Sequence, residues 1–312
     1  MKWNRILIIC CCLLCFLFFM VGCSPKKQLN VPTDTPDEGT IQISVDESFR
    51  PAIEEQIKVY ESIHPGAHIE ATYKTEASCL KDLFNDTIAR MVLVGRGLKK
   101  NEERYFSDSM GYIPFWNRVA SDAIAVVVSR ASKDSIFSIE NLRQRFLGKS
   151  MHPKKMVFDG LNTTSSVRVV MDSILKGMAY NQASVMAVKN SREVLDLAAS
   201  DTNVIGFVGF SWIGNPEDTE QKLLLKKLRI AYVECAACVD SPYVLPTQSG
   251  IRSKRYPLVK GIFYILKENY AGLGTGFANF LMFEKGQLIF RMVLNICPNS
   301  LNNHVHQNIQ FV

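Results

Sequence analysis

Three short segments carry the side chains best suited to gripping an anion. They are Asp46-Glu47-Ser48-Phe49, Gly95-Arg96-Gly97, and Asp159-Gly160-Leu161-Asn162-Thr163-Thr164-Ser165-Ser166. Each lies where a run with strand character hands over to one with helical character. Polar residues at such a corner sit where a helix N-terminus presents unpaired N–H groups and the positive end of its dipole. Ser, Thr, Asp and Asn also cap helices for structural reasons alone. Arg96 is harder to explain that way, because it follows a buried apolar strand and its planar fork matches a tetrahedral oxyanion in bidentate fashion. The carboxylates of Asp46 and Glu47 suit a ligand that still carries a proton. Phosphate near neutral pH can donate to a carboxylate, whereas sulfate has no proton to give. The same two acids could instead face solvent or a helix dipole.

A different chemistry is written at the N-terminus. Lys2 and Arg5 precede an apolar run from Ile6 to Gly22, which ends at Met20-Val21-Gly22-Cys23. This is the positive, hydrophobic, small-residue order of an export signal. The Val-Gly-Cys junction resembles the bacterial lipobox, which implies acylation of Cys23, loss of residues 1–22, and a lipoprotein of the cell envelope facing the periplasm or the outside. An uncleaved membrane anchor is the alternative, since the run of about 17 residues is short for a span. From 23 to 39 the chain is polar and proline-containing, the composition of a flexible tether.

Of nine cysteines, Cys10, Cys11, Cys12 and Cys15 fall in this leader, leaving Cys79, Cys235, Cys238 and Cys297 besides Cys23. Cys235 and Cys238 form a C-x-x-C. Buried apolar thiols, a disulfide and a redox pair are all open readings of it. A single such pair without partner histidines is a weak metal signal, so no metal is assigned.

The elements that must hold these corners follow from periodicity. Thr40 to Val45 alternates as a strand, and Ile53, Ile57, Tyr60 and Ile63 make one helical stripe from Pro51 to Ile63. A strand at 68–73, a helix around 80–88 and a buried strand at 91–94 complete a β-α-β-α-β order, which implies parallel strands with right-handed crossovers. The run Ala123 to Val128 is continuously apolar, as a strand covered on both faces would be. A helix at 139–146, a strand at 155–158, a helix from 165 to 175 and a strand at 204–209 follow. The tail carries the helical stripe Leu273, Phe277, Phe280 and Leu281. The pattern is α/β in two lobes, with 121–240 inserted between 40–120 and 241–312.

The net charge of +6 over 312 residues is mild. The basic residues are scattered rather than striped among aromatics, which argues against a nucleic-acid partner. No His-Glu-x-x-His, nucleophile elbow, P-loop or paired-glycine fingerprint is present, so the chain is not read as an enzyme and no cofactor is assigned.

From residue 40 to about 300 the order of motifs resembles the PstS-like phosphate-binding proteins of the type II periplasmic fold. The matching segments are Gly95-Arg96-Gly97-Leu98 with Glu102-Glu103, Asp122 to Val128, Asn162-Thr163, Ile205-Gly206-Phe207-Val208 and Gly286 to Ile289. The resemblance implies a two-lobe fold with the ligand cleft between the lobes, hinged near Arg118 to Ala123. It further implies a lipid-anchored, monomeric solute-binding protein for phosphate or a related oxyanion, delivering to ABC permease subunits. The family's ligand positions fall on Ser48, Arg96 and Leu161-Asn162-Thr163, with Thr164 and Ser165 able to replace a hydroxyl lost at Leu161. The family's serine before the arginine is Gly95 here, and Asp46-Glu47 stand where it prefers small residues. Those departures leave room for another oxyanion, for a protein that has lost phosphate binding, or for a thiol-redox lipoprotein using Cys235 and Cys238.

Overall fold

The computed structural model describes residues 34–85, 89–160, 164–235, 238 and 242–293. Cys23, Asn162, Thr163 and Cys297 lie outside them. Strands β1 (Glu38–Asp46), β2 (Gly66–Lys74) and β3 (Ala89–Val94) run parallel in the order β2-β1-β3, with helices α1 (Arg50–Ile63) and α2 (Glu76–Asn85) as crossovers. The α1 stripe buries Ala52, Ile53, Ile57 and Tyr60. Pro51 stands in its first turn, where a missing N–H breaks no helical bond.

After α3 (Lys100–Met110) comes the long strand β4 (Phe115–Ser129). Next are β5 (Ile136–Phe137), α4 (Ile139–Phe146), β6 (Lys155–Phe158), α5 (Ser165–Val170), β7 (Val185–Ala187), α6 (Ser191–Ser200) and β8 (Val204–Gly209). The rest is α7 (Thr219–Lys227), β9 (Leu228–Ile230), β10 (Tyr232–Glu234), β11 (Tyr243–Val244), α8 (Gln248–Arg252), β12 (Val259–Leu266), α9 (Leu273–Met282) and α10 (Glu284–Val293).

Among the described residues the main sheet runs β2-β1-β3-β12-β4-β8-β6-β7, with β9 also on β4. The architecture is α/β with two lobes, and β4 is common to both. Its residues 115–123 pair antiparallel with β12, and 124–128 pair antiparallel with β8. The run Ala123 to Val128 is fully buried, as its unbroken apolar character requires. In one lobe Phe146, Phe158 and Phe207 pack ring to ring; in the other Tyr60 meets Phe277 and Phe280 edge-on. Each fully buried Phe contributes roughly 1.5–3 kcal/mol.

Residues 34–39, tether-like in composition, are bound to the fold. Asp34 accepts from Leu273 N–H (2.8 Å) and Tyr270 Oη (3.0 Å) and pairs with Arg90 (2.6 Å), while Pro36 O accepts from Tyr60 Oη. A polar residue is ordered here because a helix N-terminus needs an acceptor. Cys235 and Cys238 are joined as a disulfide, and Cys79 is buried and free. Among the described residues no helix is long and apolar enough to cross a membrane.

Candidate functional site

The corners after β1 and β6 meet. Asp46 ends β1 and caps the turn Glu47–Phe49, its Oδ1 accepting from Ser48 N–H (2.9 Å) and Ser48 Oγ (2.8 Å). Thr164 caps α5 through a bond from Val167 N–H (3.3 Å), which leaves Ser165 and Ser166 in the first turn. Ser48 Oγ and Ser165 Oγ then lie 3.2 Å apart, and Ser165 N–H points to Asp46 Oδ2 at 3.3 Å. One carboxylate thus accepts amides from both lobes. A third contact joins them, from Ser211 Oγ to Ser48 O (3.2 Å).

Gly95 makes the close approach possible. A Cβ there would stand 2.7 Å from Ser165 Cβ and 2.8 Å from Glu76 Oε1, so the serine usual in the resembled family has no room. Arg96, by contrast, is committed elsewhere: its fork grips Glu102 at 2.7 and 2.8 Å and donates to Gly97 O. Glu47 is likewise spent on Arg50 (2.7 Å), whose guanidinium covers Tyr73. Arg168 forks onto Glu76 across the lobes at 2.8 and 2.9 Å.

The centre of the cluster is a residue that sequence reasoning passes over. Lys260 on β12 is 3 % exposed and donates to Ser48 Oγ (2.5 Å), Ser165 Oγ (3.1 Å) and Ser166 Oγ (3.4 Å), over the ring of Phe49 (4.3 Å). Asp122 is its antiparallel register partner, so both side chains share one face; Asp122 Oδ2 stands 3.9 Å from Nζ. The available signal was a lysine inside the apolar run Leu258 to Leu266.

Two buried acids beside it are shifted. Burial pushes Asp122 up to about 6, offset in part by Lys260 and the N–H groups of Ala123 and Phe210. Burial first, then the neighbouring charge of Asp46, pushes Asp159 up to about 6, although Ser191 Oγ donates to its Oδ2 at 2.7 Å. Between the ordinary 3.8 and about 6 the folded chain keeps a proton at Asp159 that the unfolded chain releases, so stability falls as pH rises through that window. The full shift corresponds to roughly 3 kcal/mol.

Asp159→Asn cannot ionise. Urea unfolding at pH 4 to 7 is therefore expected to show wild type losing about 2–3 kcal/mol relative to the variant as pH rises. Any cost of an unsatisfied amide shifts the variant's curve without tilting it. Parallel curves would refute the assignment.

The chain matches the PBP superfamily domain over residues 30–285. No curated protein matches it in sequence. Among solved structures it is similar to a Clostridium perfringens protein described as a phosphate ABC transporter substrate-binding protein, with phosphate bound. The TM-score is 0.66 at 17 % identity, covering 82 % of this chain and 98 % of that one. It is also similar to an ABC-type phosphate transport receptor from Vibrio cholerae, with TM-score 0.58 at 15 % identity over 81 % and 98 % of the two chains. A phosphate-binding protein described from Planctomyces limnophilus gives 0.53 at 16 % identity over 82 % and 92 %. At such identities the likeness establishes a shared fold.

Proposed function

The chain belongs to the PBP superfamily, and we propose that it is the lipid-anchored solute-binding component of an ABC importer, with inorganic phosphate as its solute. The observation that carries this reading is the meeting of Ser48 and Ser165, 3.2 Å apart, each at a helix-starting corner of a different lobe. Corner hydroxyls and amides from both lobes that already converge on the Asp46 carboxylate are donors suited to an oxyanion. The names of the structurally similar proteins support phosphate and a permease partner. The lipobox-like segment ending at Cys23 supports a lipid anchor.

Asp46 gives the site its selectivity in this reading. It already accepts both corner amides, so an incoming anion must share them with a carboxylate. A proton on phosphate bridges the two, and sulfate meets bare repulsion. Lys260 Nζ occupies the space between Ser48, Ser165 and Ser166, so the solute enters when the lobes part at β4 and takes its place beside the ammonium and these hydroxyls.

Thermal melting of the full-length protein in detergent against phosphate, sulfate and molybdate tests this. Phosphate at 100 times its dissociation constant is expected to stabilise by about 2.7 kcal/mol. Sulfate is expected to leave the transition in place. An unmoved transition with all three anions would remove small oxyanions as the solute.

A further inference from the structure

We infer that Lys260 is the cation of this site, the residue whose charge pairs with the bound oxyanion, in the role that family resemblance gives to Arg96. The inference rests on the oxyanion reading above and names the residue that makes it electrostatically workable.

A lysine this deep costs several kcal/mol unless its charge is compensated. Its carboxylate neighbour compensates loosely. Asp122 Oδ2 stands at 3.9 Å, beyond hydrogen-bond range, and that buried oxygen has no hydrogen bond of ordinary geometry. Three serine hydroxyls and the face of Phe49 hold the ammonium instead. The charge is therefore positioned by neutral groups from both lobes, and no tight ion pair consumes it. Arg96 and Arg168 differ in this respect, each being forked onto a carboxylate.

The donor arithmetic points the same way. An ammonium has three N–H groups and no acceptor. Ser48, Ser165 and Ser166 must each accept from it and turn their own O–H elsewhere. Ser48 gives its hydrogen to Asp46 (2.8 Å). Ser165 is then the donor in its 3.2 Å contact with Ser48 Oγ, and when the lobes part its hydrogen and that of Ser166 are the ones an oxyanion takes, together with a share of the ammonium itself. Lys260 thus neutralises the solute and also sets the hydroxyls as donors. Because an ammonium is a point charge without a planar fork, the site selects by charge and size more than by the orientation of paired oxygens.

Calorimetric titration of inorganic phosphate into the full-length protein in detergent decides this. Lys260→Met is expected to weaken binding roughly 30-fold or more, the usual consequence of stripping one partner from a buried charged contact, while Arg96→Ala stays within about threefold of wild type. Circular dichroism checks folding of each variant. If stranding Asp122 prevents Lys260→Met from folding, the double variant with Asp122→Asn removes the lone carboxylate and is expected to show the same loss. Wild-type affinity in the folded Lys260 variant overturns the inference alone. A wild-type protein that takes up no phosphate, sulfate or molybdate overturns the function and the inference with it.

Discussion

Glu268→Ala is expected to cost the folded state about 3–5 kcal/mol, the range for removing one member of a buried charged network. The Glu268 side chain is wholly buried, and its two oxygens accept from Gly272 N–H (3.1 Å), Gly274 N–H (3.1 Å), Thr275 N–H (2.8 Å) and Thr275 Oγ1 (2.9 Å). Those amides open α9, whose cap position is Gly272 and offers no side chain of its own. Alanine strips the acceptor from Gly274 N–H and Thr275 N–H, while Gly272 N–H (3.0 Å) and Thr275 Oγ1 (2.9 Å) keep Tyr270 O, and each buried unsatisfied donor costs about 1–3 kcal/mol. Asp34 supplies the remaining bond, from Leu273 N–H, and both acids face Arg90. Glu268→Gln keeps an acceptor and loses the charge, so it is expected to cost about half as much. Urea unfolding followed by circular dichroism measures both. An alanine variant within about 1 kcal/mol of wild type would show that water replaces the carboxylate at α9.

How much of this was legible beforehand depends on how many residues carried each signal. The helix α1 shows four apolar residues on one stripe, and β8 shows an unbroken apolar run, so both follow from periodicity. Helix α3 does not, because Phe106 is its one buried residue and a single point defines no period. Strand β12 is hidden by Lys260 and Gly261, which interrupt an otherwise apolar run with a charge and a missing side chain. Within the site, Ser48 and Ser165 were recognisable as corner residues from their neighbours in the chain. Lys260 was not, since its meaning comes from Asp122, 138 positions earlier by subtraction of the two residue numbers, and from serines on two other elements. Glu102, six positions on, was legible as part of the Arg96 motif, but its grip on the guanidinium follows only from the turn into α3, which folds it back. Local capping chemistry is local in sequence; charge pairing in a two-lobe site is not.

Gly209→Ala bears on whether closure creates the binding site. Gly209 ends β8 with φ −56° and ψ 137°, a backbone conformation open to any residue, so alanine introduces no backbone strain. The obstacle is steric and comes from the other lobe. A Cβ would stand 2.4 Å from Ser48 O and 3.1 Å from Asp122 Oδ2, and a carbonyl oxygen cannot rotate away as a side chain can. The same Ser48 carbonyl accepts from Ser211 Oγ (3.2 Å), so any retreat also breaks that bond. With the lobes parted the Ser48 clash is gone and only the 3.1 Å approach to Asp122 Oδ2 on the adjoining strand remains. The main cost falls on closure, at about 1–3 kcal/mol for the overpacking and about 1 more for the lost hydrogen bond. Phosphate affinity is accordingly expected to fall roughly 30- to 1,000-fold, at 1.4 kcal/mol per decade. Small-angle scattering separates this from local damage: saturating phosphate should contract wild type and leave the Gly209→Ala protein extended. If the variant contracts equally and binds equally, Ser48 does not need its position against β8, and the solute is held by one lobe.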